Sequence, residues 1–364
     1  MNPKIIFAGG GTAGHVEPAL AVATQLRKLK PNYEITFAGT KKGLENQLVP
    51  AAGFNLVFIP KLLLPRELTL GLLIWPFRFI AAIWQGIKVC KNADLIIGFG
   101  GYACPPIYLA AAILRKPIMV HEANAIPGWA NKLGVKFAKQ VFVAFASAKQ
   151  KIGKWRSAKL IGMPLRSEIL GIHKLTQVEK NEIRSAQIKK WGLSEDKPIL
   201  LVFGGSQGSR HINEAILQTL SFFTENNIQV VHSVGRNNAL PTSTENYLPL
   251  PYIENMAAAY TACDLVIARS GALTCAELAA VGKFALLIPL SIGNGEQSAN
   301  ARDLKQSGAA LLIEDSKFNA DWLISNWSEL YRSAKTYVPR PMPDTSASVV
   351  ISQEIISEIE KAND

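Results

Sequence analysis

Short apolar runs without polar alternation recur through the first 150 residues, at Lys4–Ala8, Glu34–Gly39, Leu56–Pro60, Leu95–Gly98, Ile118–Glu122 and Gln140–Ala144. Separated by segments of helical spacing such as Pro18–Leu29, they predict parallel strands joined by crossover helices and covered on both faces. The rhythm restarts at Pro198–Phe203 and continues through Ile228–Val234, Leu265–Ala268 and Ala285–Pro289. The expected fold class is α/β, with two doubly wound, Rossmann-like parallel-sheet domains. Ile161–Arg166 and a polar helical segment reaching Lys190 link them, which puts the boundary near Gly162. After Pro339, Pro341 and Pro343, the stretch Ser346–Ile359 has apolar residues at helical spacing. The domains expected are 1–162 and 163–343, with a last helix in 344–364 packing back on the first.

A chain of 364 residues suits two such cores, and 48% apolar with 18% charged residues describes a globular protein. The net charge of +11 changes the picture through its placement. Residues 1–150 hold 17 Lys+Arg against 6 Asp+Glu, whereas the remainder is balanced at 22 and 22. A basic half serves nucleic acid, an anionic membrane or a phosphorylated substrate. Cys90, Cys104, Cys263 and Cys275 form no CxxC pair and read as reduced core residues. The chain enters its first strand without a leader pattern, so a cytoplasmic protein is expected.

Gly9-Gly10-Gly11-Thr12-Ala13-Gly14-His15 joins the first strand to the first helix, where backbone without Cβ can approach an anion or a sugar and helix N–H groups await a partner. The spacing also fits GxGxxG, but the second strand ends in Thr40, Lys41 and Lys42, without the acid that would hold a nicotinamide ribose. That removes the oxidoreductase reading. Gly204-Gly205-Ser206-Gln207-Gly208-Ser209 repeats the device, and Arg269-Ser270-Gly271-Ala272-Leu273-Thr274 feeds a third helix, with Glu277 one turn in. Loops at strand carboxyl ends in two such domains point to ligands held in a cleft that the domains face.

Gly10–His15, Gly100-Gly101-Tyr102, His121-Glu122-Ala123-Asn124, Gly162-Met163-Pro164-Leu165-Arg166, Gly204–Gly208, Arg269–Thr274 with Glu277, and Gly295-Glu296-Gln297 resemble, in order and spacing, the motifs of the MurG family of glycosyltransferase family 28. The resemblance spans nearly the whole chain. It implies the GT-B architecture and inverting transfer of GlcNAc from UDP-GlcNAc to the C4 hydroxyl of the muramoyl sugar of lipid I, giving lipid II. It further implies a donor held by Ser206 at the diphosphate, Ile253 at the uracil, Ala272, Leu273 and Thr274 at the phosphates, Glu277 at the ribose and Gln297 at the GlcNAc, with Cys275 and Ala276 also among the substrate-binding residues. Thr12, Ala13, Gly14, Asn124 and Arg166 would complete the site. Glu296 stands where the family often has Gln and Met163 where Asn is frequent, and Glu17 is at a position where the family varies. No Asp-x-Asp occurs, so no metal and no cofactor is expected.

Inverting transfer needs a base for the acceptor hydroxyl. His15 is the candidate, because it sits on the glycine loop and titrates near neutrality; Glu122 is second. Arg166 and Arg269 are read as phosphate partners or as solvated charges. Between Lys61 and Lys91, Leu72, Leu73, Trp75, Phe79, Ile80 and Trp84 are flanked by Arg66, Arg78, Lys88 and Lys91, too short a run to span a bilayer. From Pro76, a good first helical residue, Phe77, Ile80 and Trp84 would share one face. An interfacial helix on an anionic membrane is expected, placing the protein peripherally on the cytoplasmic side, where other cell-wall synthesis proteins are potential partners. Nucleic acid is disfavoured, since basic residues interleave with aliphatics in an amphipathic stretch. The rival readings are another GT-B glycolipid transferase, a UDP-GlcNAc epimerase, and a non-catalytic scaffold that binds the sugar nucleotide.

Overall fold

A computed structural model of the chain describes residues 2–41, 43–60, 71–149, 155, 157–291, 294–340 and 346–363, side chains at 71–75 and 363 excepted. The chain forms two compact units, Met1–Arg166 with Asp344–Asp364, and Ser167–Pro343.

The first unit holds strands β1 (Lys4–Ala8), β2 (Glu34–Gly39), β3 (Asn55–Phe58), β4 (Leu95–Gly98), β5 (Ile118–Glu122), β6 (Gln140–Val143) and β7 (Lys159–Leu160). They make one parallel sheet in the order β3-β2-β1-β4-β5-β6-β7. Every residue of β4 and β5 is buried, as a sheet covered on both faces requires. Phe7, Phe37 and Phe99, from β1, β2 and the end of β4, stack across one face, with ring centroids 5.3 and 6.0 Å apart. The helix Ala347–Asn363 closes that face by burying Ile351, Ile355 and Ile359 in the same cluster. The i, i+4, i+8 spacing puts all three on one stripe, worth roughly 1.5 to 3 kcal/mol per side chain.

The second unit holds β8 (Ile199–Phe203), β9 (Gln229–Ser233), β10 (Tyr247–Leu250), β11 (Leu265–Ala268), β12 (Ala285–Leu287) and β13 (Ala310–Leu312). Its parallel sheet runs β10-β9-β8-β11-β12-β13. Apart from β7 the two sheets share one winding, with order reversing beside the first strand of each. The fold class read from the sequence is the one found.

Some elements differ from the sequence reading. β7, β10 and β13 escape it because they have two to four residues, and β10 carries Pro249. The first helix starts at Ala13, five residues before Pro18, directly on the glycine loop. The basic apolar helix runs Gly71–Cys90 and passes through Pro76 instead of starting there.

Candidate active site

In doubly wound sheets, ligands bind beyond the strand carboxyl ends where the order reverses. Gly9–Gly14 follows β1 and Gly100-Gly101 follows β4 at the first reversal; Gly204–Gly208 follows β8 and Gly271 follows β11 at the second.

In the first unit Thr12 occupies the N-cap of helix Ala13–Leu29, yet its hydroxyl makes no cap bond. It lies 3.3 Å from Nδ1 of His15. The imidazole lies against the second glycine turn, so a Cβ on Gly100 would come within 3.0 Å of its Nε2. Burial lowers the pKa of His15, against opposing pulls from the Gly10 carbonyl and Glu45. At neutral pH the ring is therefore uncharged and able to accept a proton. Thr12 is exposed, while Ala13, Gly14 and His15 are half-buried.

Glu122 is buried, and four donors occupy its carboxylate. The Asn124 N–H and Nδ2 reach Oε1 at 2.8 and 3.2 Å, and the Gly128 N–H and Asn131 Nδ2 reach Oε2 at 3.1 and 3.0 Å. Burial raises its pKa, while those donors lower it. The geometry makes Glu122 the anchor of the turn carrying Asn124. Tyr108 continues this network, its hydroxyl donating to Oδ1 of Asn131 at 2.8 Å. A Cβ on Gly98 or Gly134 would run into the Tyr108 ring, which is the signal in the sequence that could have revealed it. His121 is buried beside this network, with Nε2 3.2 Å from the Gly162 carbonyl and no partner for Nδ1 among the described residues; burial takes its pKa down to about 4. Arg166 pairs with Glu17 at 3.6 Å, so the acid on the first helix holds the arginine after β7.

In the second unit Ser206 is half-buried and Gly205, at φ +91°, has no atom within 4 Å of its would-be Cβ. The helix Ala272–Val281 starts from Gly271 without a side-chain cap, which leaves the amides of Ala272, Leu273 and Thr274 facing the loop. Ser270 Oγ, buried just before it, has no hydrogen-bond partner among the described residues. Cys275 is buried and Ala276 half-buried. Glu277 is buried, its Oε2 accepting the Tyr260 hydroxyl at 3.0 Å. Ile253 is buried, and Gln297 accepts the Leu290 N–H through Oε1 at 3.0 Å. Arg269 is neither a solvated charge nor turned to the loop mouth: it is buried and bonds Ile288 O, Asp315 Oδ1 and Ser209 Oγ, knitting three loops together.

In the helix Gly71–Cys90, Ala82, Gly86 and Cys90 form the buried stripe, and Gly86 packs against helix Cys104–Ile113 so closely that a Cβ would meet Ala110 at 3.0 Å. Phe77, Ile80 and Trp84 point the other way, at 73%, 62% and 63% exposure, with Lys88 Nζ 4.2 Å from the Trp84 ring centre. Phe79 is half-buried; the side chains of Leu72, Leu73 and Trp75 lie outside the described residues. Among the described residues no helix is long and apolar enough to cross a membrane.

Residues 5–143 match the glycosyltransferase family 28 N-terminal domain, and residues 199–358 match the family 28 C-terminal domain. The chain belongs to glycosyltransferase family 28. Within that family, a Thermobifida fusca protein named UDP-N-acetylglucosamine--N-acetylmuramyl-(pentapeptide) pyrophosphoryl-undecaprenol N-acetylglucosamine transferase is 44% identical over 327 residues, 88% of this chain and 83% of its own. A Corynebacterium diphtheriae protein of the same name is 40% identical over 363 residues, 99% and 97% of the two chains. The crystal structure of Acinetobacter baumannii MurG matches with a TM-score of 0.68 at 27% identity over 99% of both chains. The motif resemblance to the MurG family is borne out. The kitacinnamycin glycosyltransferase, at 14% identity and a TM-score of 0.62 over 98% of this chain and 99% of its own, shares the fold.

Proposed function

We propose that this family 28 enzyme transfers GlcNAc from UDP-GlcNAc to the C4 hydroxyl of undecaprenyl-diphospho-MurNAc-pentapeptide, with inversion at the anomeric carbon. The observation that carries this reading is the 40% identity over 99% of the chain to a transferase named for that reaction. In the proposed step a ring nitrogen of His15 accepts the hydroxyl proton. The hydroxyl oxygen forms the new bond to the anomeric carbon as the bond to the diphosphate oxygen breaks, and its electron pair leaves with UDP. The uncapped amides of Ala272–Thr274 and the helix dipole behind them favour that charge, with Ser206 adding a hydroxyl donor. Glu277 takes the ribose hydroxyls, Ile253 faces the uracil, and Gln297 offers its amide nitrogen to the sugar. Thr12–Gly14, Asn124 and Arg166 are the substrate contacts proposed on the first unit, and Glu122 acts by fixing Asn124.

The acceptor is tied to a polyprenyl chain, and the exposed Phe77, Ile80 and Trp84, with Arg78 and Lys88 beside them, support docking of the first unit on an anionic bilayer from the cytoplasmic side. Replacing these three with Ser should abolish sedimentation with anionic vesicles and cut turnover of long-chain acceptor, while a short-chain acceptor is still used. Equal loss on both acceptors would remove the helix from the membrane.

The reaction is tested by UDP release from UDP-GlcNAc with and without a short-chain lipid I analogue. Release that depends on the analogue is expected, and His15→Ala should lower kcat by about 100- to 10,000-fold while the nucleotide still binds. Nucleotide binding without release would favour the scaffold; release with diacylglycerol alone, or epimerised donor, would favour the other enzymes.

A further inference from the structure

Glu45, the first residue of helix Glu45–Ala51, is fully buried. Its Oε1 accepts the Thr40 N–H at 2.7 Å and the Thr40 hydroxyl at 2.8 Å, and its Oε2 accepts the Gly11 N–H at 2.8 Å. The side chain thus joins the end of β2 to the middle of the first glycine loop, 34 residues away in the chain. Both oxygens act as acceptors, as a carboxylate's do. Among the described residues it makes no ion pair with a lysine or arginine. Three glycines open the space it fills. A Cβ on Gly10 would lie 2.5 Å from Oε1, one on Gly39 would lie 2.5 Å from Cγ, and one on Gly43 would overlap the carboxylate. The loop glycines that fit a dinucleotide pattern in the sequence are in part room for this acid.

We propose that Glu45 is a positioning residue of the transferase, clamping the Gly9–Gly14 turn to the end of β2 so that His15 is held in the geometry of a base. The proposal rests on the reading of His15 as that base. The same carboxylate favours the imidazolium, whereas burial, the larger effect, disfavours it. The other groups facing the imidazole are the Thr12 hydroxyl and Gly10 carbonyl of its own loop, the Gly100 turn, and His121 from β5, neutral above pH about 4. Glu17, on the same helix, is occupied by Arg166. Glu45 is therefore the only negative charge found to act on His15 among the described residues.

The test compares wild type, Glu45→Gln, Glu45→Asp, Thr40→Val and His15→Asn for kcat, donor KM and the pH profile of kcat, with the thermal midpoint of each. Glu45→Gln turns an amide N–H toward the Gly11 N–H. It should lower kcat by about 10- to 100-fold through misplacement of the loop, a larger effect than any rise in donor KM from the displaced Thr12–Gly14. Removing the negative charge lowers the pKa of His15 further, so the acid limb of the profile should move to lower pH. Glu45→Asp keeps the charge, and Thr40→Val removes one donor; both should lower kcat and leave the limb in place, and they carry the test if Glu45→Gln does not fold. A merely structural acid would lower the midpoint while kcat of the folded variants and the Glu45→Gln limb stay at their wild-type values, which overturns the proposal. His15→Asn with wild-type turnover overturns the base assignment and the proposal with it. An inactive His15→Asn beside a Glu45→Gln enzyme of wild-type kcat and unmoved limb overturns the proposal alone.

Discussion

The two units carry the same sequence device after their first strands, and they use it differently. In Gly9–Gly14 the glycines make room for neighbours: Gly10 for Glu45, and Gly101 in the adjoining turn for the Gly10 carbonyl. In Gly204–Gly208, Gly204 packs on its own turn against Ser209 and Gly208 packs against the Val234 carbonyl after β9, whereas Gly205 faces open space. The first loop is fixed from outside by a buried acid; the second leaves backbone free for a ligand. A glycine motif by itself does not say which of these it is, because both purposes remove the Cβ.

Two glycines with nearly the same φ show how far the surrounding space matters. Gly101 has φ +89° and Gly205 has φ +91°, so alanine meets similar left-handed strain at both sites and only the surrounding space differs. Gly101→Ala also drives a methyl into the Gly10 carbonyl. It should cost on the order of 4 kcal/mol, strain and overpacking together, and abolish turnover. Gly205→Ala should cost about 1 to 2 kcal/mol. Urea unfolding midpoints check both, and equal losses would mean that space is not what separates the loops.

The apolar runs exposed most of the strands, because a sheet covered on both faces leaves no polar alternation to blur them. The glycine loops were legible for the same reason: they sit where those runs stop. What escaped was set by distant packing. Glu45 is unremarked in Thr40-Lys41-Lys42-Gly43-Leu44-Glu45, and only the fold brings Gly10, Gly39 and Gly43 around it. Arg269 read as a phosphate ligand or a solvated charge, since nothing local shows Ser209, Ile288 and Asp315 converging on it. In Gly71–Cys90 the exposed face of Phe77, Ile80 and Trp84 was visible from helical spacing, but the start was not, since Pro76 looked like a first residue.

Each unit also buries one histidine of its sheet, His121 in β5 and His232 in β9, both with pKa lowered to about 4 by burial. Between pH 6.5 and 4 the unfolded chain binds the protons that the folded chain refuses, so stability rises with pH across that window and is lost on acidification. The loss should be on the order of 3 kcal/mol for each histidine. The two differ in partners. His232 Nδ1 lies 3.0 Å from the Tyr247 hydroxyl and Nε2 lies 3.0 Å from Asn213 Oδ1, whereas His121 Nδ1 has none among the described residues. Tyr247→Phe should leave His232 in the state of His121 and cost about 1 to 3 kcal/mol at pH 7. Unfolding curves from pH 7 to 4 that do not weaken with acid would contradict the assignment of both as buried neutral rings.

The division of labour between the loops sets a kinetic contrast. Glu277→Ala in the second unit should raise donor KM by about 10- to 100-fold, the worth of hydrogen bonds to a charged group, with kcat little changed. Tyr260→Phe, which takes one donor from Glu277 Oε2, should raise it by less. Steady-state kinetics with varied UDP-GlcNAc separates this from His15 variants, which act on kcat. An unchanged donor KM in Glu277→Ala would take the carboxylate off the ribose.

The smallest effect contrasts acids in the interior and on the surface of the first unit. Glu354 and Glu358 of the closing helix reach Lys159 and Lys139, each at 2.5 Å. Geometry alone would rank these short pairs beside the contacts of Glu45. Burial reverses the ranking, since the Lys159–Glu354 pair has side chains 45% and 34% exposed and water already solvates both charges. A double-mutant cycle on Lys159 and Glu354 should therefore give a coupling of about 1 kcal/mol or less, shrinking further in high salt. The helix is held instead by Ile351, Ile355 and Ile359, whose burial salt does not screen. A coupling of several kcal/mol that survives 1 M salt, a concentration at which charges more than about 3 Å apart are screened, would show that this edge of the unit is closed by charge, and that exposure is a poor guide to which of its carboxylates matter.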